Sequence, residues 1–419
     1  MKTTSIKRRQ LLLAGAGTLG MAAWPAANAG KPRKQVIVIG GGMAGATLAK
    51  YLRLWGDRVN VTLIERAPRY TSCIMSSLVL TGQRQIADLR YSYAQLKKAY
   101  GVNVVIDDVL AVDPATLSVR LASGTTLFAD RIVLAPGIDF DPVPGLTNPD
   151  AMPHAWKAGP QTTLLRQQLQ AMPANGVAVL TIPKVPYRCP PGPYERACLL
   201  ADWLKKYKPQ AKLLVLDANL DFVTEKDNFS QAFFGLHANV IEYRTQTEVL
   251  SADADTMTLQ TTTGSVHGDV INLIPRQRCG PIVSETGLAN ATEGRFAAVD
   301  VLSYESTVAP GIHVIGDSSA TTQPKAGHIA NQEAKVCADA IVRSFGGYSA
   351  DPAPVTNSAC FSTITMKEAS WLEAVFQYDP STRVMVPVAN ATGASVGWSR
   401  NNFDQMETWF KALMADTFA

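Results

Sequence analysis

Gly40-Gly41-Gly42-Met43-Ala44-Gly45 fits the pattern G-x-G-x-x-G, and Glu65 stands 20 residues beyond its last glycine. These residue types at this spacing can hold a dinucleotide. Gly40 permits a tight turn, Gly42 carries no Cβ to keep a pyrophosphate away, and Gly45 lets a helix pack close to a strand. Free N–H groups at the helix start face the phosphates, and Glu65 can bind the ribose hydroxyls. A second set lies about 270 residues downstream. Gly311-Ile312-His313-Val314-Ile315-Gly316-Asp317 reads as a strand delivering Asp317 to a ribityl chain, with Gly316 allowing close approach. The two signatures together point to FAD rather than NAD.

Six cysteines offer redox chemistry: Cys73, Cys189, Cys198, Cys279, Cys337 and Cys360. None stands in C-x-x-C or C-x-x-C-H, so neither haem attachment nor a zinc ribbon is expected, and spacing alone does not fix any pairing. Cys189 is the most suggestive, because it lies in a turn that should face the flavin crevice. Cys198 and Cys337 sit in apolar helical surroundings and read as core thiols. Cys279 stays unassigned. The five histidines show no ligand spacing, and His154 and His313 read as structural.

The elements that must position these groups follow from pattern. Val36 to Ile39 is a β-branched apolar run, hence a buried strand; Thr47 to Leu52 is helical, and Val59 to Ile64 is a second strand. Val102 to Val109 is a strand candidate, and Leu117–Leu121 with Thr125–Phe128 flank a Ser123-Gly124 hairpin turn. Arg131 to Ala135 returns a strand to Pro136-Gly137. A second βαβ unit begins near Ala151: helix 161–172, strand 176–182, helix 194–206 and strand 212–216 ending at Asp217. Its turn is Pro183-Lys184-Val185-Pro186-Tyr187-Arg188-Cys189-Pro190-Pro191-Gly192-Pro193. Prolines supply no N–H donors and bulky side chains block backbone approach, so this turn should not cradle a nicotinamide dinucleotide. The strand Ile271–Pro275 reads as the first domain resuming. The last stretch carries Trp371, Phe376, Tyr378, Trp398, Phe403, Trp409 and Phe410 among short elements; most of these aromatics read as core.

The expected architecture is α/β, a flavoprotein of two dinucleotide-type domains with a smaller C-terminal α+β domain. Its segments are 30–145 and 271–345 for FAD, 146–270 for the second dinucleotide-type domain, and 346–419 for a flavin-capping and cytochrome-docking domain. Residues 1–29 read as a twin-arginine leader. Arg8-Arg9 precedes a short apolar run and Ala27-Asn28-Ala29 is a small-x-small cleavage site, which implies a periplasmic protein. That route exports proteins already folded around their cofactor. Of 39 basic residues Lys2, Lys7, Arg8 and Arg9 fall in the leader, leaving 35 against 35 acidic residues. This balance gives no support to a basic nucleic-acid footprint.

With these residues in view, the chain resembles the flavoprotein subunit of flavocytochrome c sulfide dehydrogenase, in the pyridine nucleotide–disulfide oxidoreductase superfamily. The resemblance rests on Val36–Gly45, Tyr70-Thr71-Ser72-Cys73, the run Pro153–Gly159, Arg188-Cys189-Pro190-Pro191-Gly192-Pro193-Tyr194-Glu195-Arg196-Ala197, Ile271–Pro275, Gly311–Asp317 and Cys360-Phe361-Ser362. It implies a redox-active disulfide between Cys189 and Cys360, with Glu195 as proton acceptor beside it. It also implies a covalent flavin bond at Cys73, although Tyr-Thr-Ser-Cys departs from the family's usual Tyr-Tyr-Thr-Cys. Arg66 and Gly137 complete the expected cofactor-binding set of Gly40, Gly42, Gly45, Glu65, Cys73, Gly316 and Asp317; no metal site is expected.

The implied reaction starts with hydrosulfide attacking the disulfide by thiol–disulfide exchange, after which two electrons pass to the flavin. A haem takes electrons singly and this chain offers no haem site, so a separate c-type cytochrome is the expected partner. Three other readings share parts of the pattern. A sulfide:quinone oxidoreductase needs an amphipathic C-terminal membrane face; the stretch 401–419 offers a modest apolar face and lacks a basic opposite side. An accessory flavoprotein of a thiosulfate-oxidising system would keep the disulfide and FAD but not turn over sulfide. A NAD(P)H-dependent reductase is disfavoured by the proline-rich turn.

Overall fold

The computed structural model describes residues 33–419, so the leader expected at residues 1–29 lies outside the described residues. A mixed sheet with a parallel centre, a parallel sheet and an antiparallel sheet organise this part of the chain. In the first, Lys34–Ile39 is central, flanked by Val59–Glu65 and Arg131–Leu134; Asn103–Ile106 and Ile312–Val314 add to the two sides. All four pairings are parallel. Residues Val36, Val38, Leu63, Ile132 and Val133 are buried, as expected of strands covered on both faces. Ile39 pairs with both Ile64 and Leu134, and Leu134 with Val314. The strand ends carrying Gly40, Glu65, Ala135 and Ile315 therefore reach one edge, where ligands of open parallel sheets bind. The expected strand 102–109 is interrupted: Asn103–Ile106 joins this sheet, while Val109–Asp113 starts a separate antiparallel ribbon. The hairpin at Ser123-Gly124 is present as Ser118–Leu121 against Thr126–Phe128.

The second sheet runs Ile241–Arg244, Lys212–Asp217, Val177–Ile182, Val270–Asn272, again all parallel. Val270–Asn272 pairs with Ala178–Leu180. The stretch read as the return of the first domain at 271 thus completes the second sheet instead, because its apolar side chains fill that core. The helices Pro160–Ala171 and Gly192–Tyr207 stand close to their expected positions.

The C-terminal part is built from long elements, not the short ones expected. Val355–Thr363, Ala369–Asp379 and Val384–Ala394 form an antiparallel sheet, and Arg400–Phe418 is a helix whose Ser399 side chain caps its start. Met406, Phe410, Leu413, Met414 and Phe418 of that helix are buried in the same core as Leu48, Leu52 and Leu63 of the first domain. Phe418 stacks between Tyr70 and Tyr91. Lys50 donates to the carbonyls of Ala415 and Asp416 at 3.3 and 2.9 Å, which favours the helix C-terminus. None of the seven C-terminal aromatics is exposed. Phe376 and Phe410 are buried and the other five half-buried, in line with the reading of most of them as core. Among the described residues no helix is long and apolar enough to cross a membrane.

Candidate active site

Gly40 closes the first strand with φ of +102°, a conformation that favours glycine. A Cβ on Gly45 would lie 1.9 Å from the Gly40 carbonyl oxygen, so only glycine lets the helix Met43–Trp55 start this close to the turn. On Gly42 a Cβ would meet nothing nearer than 3.7 Å, so its open side faces the crevice. Glu65 accepts the Gly41 N–H at 2.6 Å and the Ala67 N–H at 3.1 Å, which fixes the turn and the carboxylate together. Arg66 is largely exposed, 3.5 Å from Asp108.

From this turn a cavity of about 610 Å³ runs between the domains. It is lined by Gly40, Gly42, Glu65, Arg66, Cys73, Gly137, Gly316 and Asp317, and by Cys189, Glu195 and Cys360. The expected site residues are thereby brought to one place, apart from Gly45, which acts by packing beneath the turn. The residues fit FAD. The phosphate cradle is open at Gly42, and Asp317 is half-buried with a buried Oδ1 that has no hydrogen-bond partner among the described residues. A buried unpartnered carboxylate oxygen is costly, and a ribityl hydroxyl would satisfy it. Burial raises the Asp317 carboxyl, while Arg188 and Lys325 pull it down.

The second half of the cavity is built by the proline-rich turn. Cys189 sits at φ +59°, its N–H donates to the Lys325 carbonyl at 2.6 Å, and its own carbonyl accepts the Gly192 N–H at 2.9 Å. The turn therefore presents a sulfur where other dinucleotide folds present N–H groups. Cys360 comes from the strand Val355–Thr363, and its charge is among those acting on Cys189. All six cysteines are thiols in this structure. Burial pushes both site thiols up, Cys360 to about 12; nearby carboxylates add to the effect, and Arg188 opposes it at Cys189. Glu195 accepts the Thr363 hydroxyl at 2.7 Å. Burial raises its carboxyl to about 7, against the pull of Thr363 and Arg196. Cys73 accepts the Ala158 N–H at 3.4 Å.

Sequence reasoning gave no role to several residues that the cavity gathers. Arg196 is 1% exposed, donates to Asn272 Oδ1, Ala155 O and His154 O, and stacks on Trp156 at 4.7 Å. Arg188 donates to the Trp156 carbonyl and is half-buried near Cys73, Asp317, Tyr70 and Cys189. Both stand in the unusual Cys-Pro-Pro-Gly run, which was the available signal. His328 lines the cavity with Trp409 and accepts the Ala359 N–H at 3.0 Å, which keeps its Nδ1 unprotonated; no spacing marked it. Cys198 and Cys337 are fully buried core thiols as expected. Cys279, left unassigned, is buried beside Ser284. His154 is half-buried and His313 buried, and loss of solvent lowers their imidazoles to about 3 and about 4, which holds them neutral.

At the corresponding edge of the second sheet the space is full. Asp217 accepts the hydroxyls of Tyr194 and Tyr243 at 2.8 and 2.7 Å and the Asn219 N–H at 2.8 Å. Phe222 and Phe229 pack against Tyr194 with ring centroids 5.1 and 5.3 Å away. The carboxylate that would grip a nicotinamide dinucleotide ribose is committed to the protein's own core.

Comparison with known proteins agrees with this geometry. Residues 162–275 match the family model for the central domain of the sulfide dehydrogenase [flavocytochrome c] flavoprotein chain. Residues 352–418 match the flavocytochrome c sulphide dehydrogenase flavin-binding model, and residues 34–178 the pyridine nucleotide-disulphide oxidoreductase model. A short sequence described as the sulfide dehydrogenase [flavocytochrome c] flavoprotein chain of Chlorobaculum thiosulfatiphilum is 44% identical over 46 residues, 96% of its length and 11% of this chain. The mitochondrial sulfide:quinone oxidoreductase of Schizosaccharomyces pombe is 23% identical over 68% of each chain. That of Mus musculus is 25% identical over 44% of this chain and 42% of its own. Among solved structures, the sulfide:quinone oxidoreductase of Aquifex aeolicus superposes with a TM-score of 0.75 at 17% identity, covering 92% of this chain and 91% of that one. The chain thus carries the central and flavin-binding domains specific to the flavocytochrome c sulfide dehydrogenase flavoprotein and resembles the sulfide-oxidising, FAD-dependent flavoproteins of the disulfide oxidoreductase superfamily.

Proposed function

We propose that this protein oxidises sulfide and passes the electrons to a c-type cytochrome. The observation that carries this reading is the meeting of Cys189, Cys360 and Glu195 in the cavity that also holds the glycine turn and Asp317. Hydrosulfide attacks one sulfur of a Cys189–Cys360 disulfide; the S–S bond breaks, leaving a persulfide on one cysteine and a thiolate on the other. Glu195, poised near neutral pH, accepts the proton released by the sulfur. Arg188 and Arg196 place positive charge beside the reacting sulfurs, and Trp156 under Arg196 keeps that charge out of water. A second hydrosulfide then removes the sulfane sulfur as a polysulfide. FAD held by Gly40, Gly42, Glu65, Gly137, Gly316 and Asp317, with Arg66 at its outer end, supplies a two-electron acceptor that can release electrons singly. Cys73 lies in the same cavity, and we assign it the covalent attachment to the flavin.

A cytochrome acceptor is favoured over quinone because the apolar face of the helix Arg400–Phe418 is spent on the core. The Arg8-Arg9 leader supports a periplasmic site of action. The test is an anaerobic sulfide titration of the purified flavoprotein, followed by mixing with oxidised cytochrome c or with a soluble ubiquinone analogue. The proposal expects sulfide to bleach the flavin and cytochrome c alone to restore it. Unbleached flavin would support the accessory reading, and recovery through the quinone analogue alone would overturn the cytochrome assignment.

A further inference from the structure

The strand that carries Cys360 is held by two half-buried carboxylates, of which the reaction above uses one. Glu195, on the helix Gly192–Tyr207, accepts the Thr363 hydroxyl at 2.7 Å and lines the cavity. Glu225 accepts the Ser362 and Ser370 hydroxyls at 2.5 Å each, and the Asn228 side chain donates to it at 3.4 Å. Ser362, Thr363 and Ser370 have no exposure to solvent. Ser362 and Thr363 are consecutive, so adjacent hydroxyls two and three residues from Cys360 are bonded to different carboxylates. Glu225 is not part of the cavity lining and is half-buried at the start of the surface helix Lys226–Gln231. The two carboxylates stand close enough for each to act on Cys360, and Glu225 acts on Glu195.

Holding a second carboxylate half-buried behind this strand costs free energy unless it is hydrogen-bonded. Short hydrogen bonds from two serines offset the cost and keep Glu225 ready to carry either charge or proton. The oxidation of hydrosulfide to sulfane sulfur releases protons inside a cavity that cofactor and substrate fill. A carboxylate that takes a proton there must pass it on before the next turnover.

We propose that Glu225 is the outer station of a proton outlet that leads from Glu195, past Thr363 and Ser362 behind the Cys360 strand, to solvent. The proton leaving the persulfide goes to Glu195, then to Glu225, then to water; no electrons move in this transfer. The groups facing Glu225 are Glu195 and Cys198 from the helix Gly192–Tyr207, Cys360 and Ser362 from one strand, Ser370 from the next, and Asn228 from its own helix. No lysine, arginine or histidine is hydrogen-bonded or ion-paired to it among the described residues. Its proton traffic is therefore governed by the neighbouring carboxylate and by water. The inference rests on the sulfide-oxidising reading and on Glu195 as its proton acceptor.

The test is anaerobic stopped-flow mixing of the flavin-loaded protein with excess sulfide in weak buffer. Flavin bleaching and the colour of a pH indicator are followed together. In the unmodified protein, bleaching and proton release should coincide. In Glu225→Gln, proton release should lag bleaching by about tenfold, less than the 10²–10⁴-fold of a group that moves the reacting proton directly. Glu225→Asp should restore part of the coincidence. Ser370→Ala, which keeps the carboxylate and removes one donor, should give a smaller lag and covers the case in which Glu225→Gln does not fold. Coincident proton release in Glu225→Gln, or in Ser370→Ala if only that variant folds, overturns the outlet while leaving sulfide oxidation standing. Absence of bleaching in the unmodified protein overturns the functional reading and this inference with it.

Discussion

Glu195→Gln separates what this carboxylate does for chemistry from what it costs the fold. Burial raises the Glu195 carboxyl from an ordinary 4.5 to about 7. Because the folded-state value is raised, the folded protein binds this proton more tightly than the unfolded chain does. Below 4.5 both forms are protonated and there is no penalty; as pH rises to about 7 the penalty grows, and above that it is complete. At roughly 1.4 kcal/mol per pH unit of displacement, the cost above neutrality is about 3 kcal/mol. Glutamine keeps an oxygen for the Thr363 hydroxyl but carries no charge, so most of that cost should disappear. Thermal melting of the flavin-loaded variant should thus show a gain of several degrees at pH 8 and little change at pH 5. Sulfide-dependent flavin bleaching should fall by about 10²-fold or more, the scale of a lost general base. An equal change in melting temperature at the two pH values would refute the burial argument. Undiminished bleaching would refute the role of Glu195 as proton acceptor.

Other consequences follow from the same contacts. Gly45→Ala would place a Cβ 1.9 Å from the Gly40 carbonyl oxygen, so purified variant should lack flavin, read by its visible spectrum. Lys50→Ala removes the cation that holds the last carbonyls of the C-terminal helix, which should cost about 1–3 kcal/mol in denaturant unfolding and leave the flavin spectrum unshifted. Because Tyr194, Tyr243 and Asn219 occupy Asp217, excess NADH should not reduce the flavin within the time that sulfide does; rapid reduction by NADH would contradict the filled pocket.

Much of this arrangement was legible in the residues themselves. The order of strand, glycine turn, helix and acid places Gly40 to Glu65 without ambiguity, because each residue type has one physical task there. The replacement of a glycine turn by prolines around Cys189 announced that the second domain would not hold a nicotinamide dinucleotide. The bringing together of Cys189 and Cys360 was implied only by resemblance, since no local pattern records a contact between a turn and a distant strand. The boundary near Val270 was misplaced for a similar reason. An apolar strand is equally at home in either parallel sheet, and only its pairing with Ala178–Leu180 decides. The C-terminal aromatics illustrate another limit. Phe376, Phe410 and Trp409 have the composition of an interface core, but the sheet and final helix turn them inward, and composition carries no direction. Arg188, Arg196 and Glu225 were passed over because a charge held by the interior, wholly or in part, gives no signal in sequence until its partners are known.

The most direct test of the account is peptide mass spectrometry of the oxidised protein before and after one equivalent of sulfide, with free thiols blocked and no reductant added. The account predicts a linked peptide pair joining Cys189 to Cys360 before sulfide. After sulfide that pair should be lost, and one of the two cysteines should be heavier by one sulfur atom. A Cys189–Cys360 link that survives sulfide, or cysteines that are never linked under oxidising conditions, would contradict it.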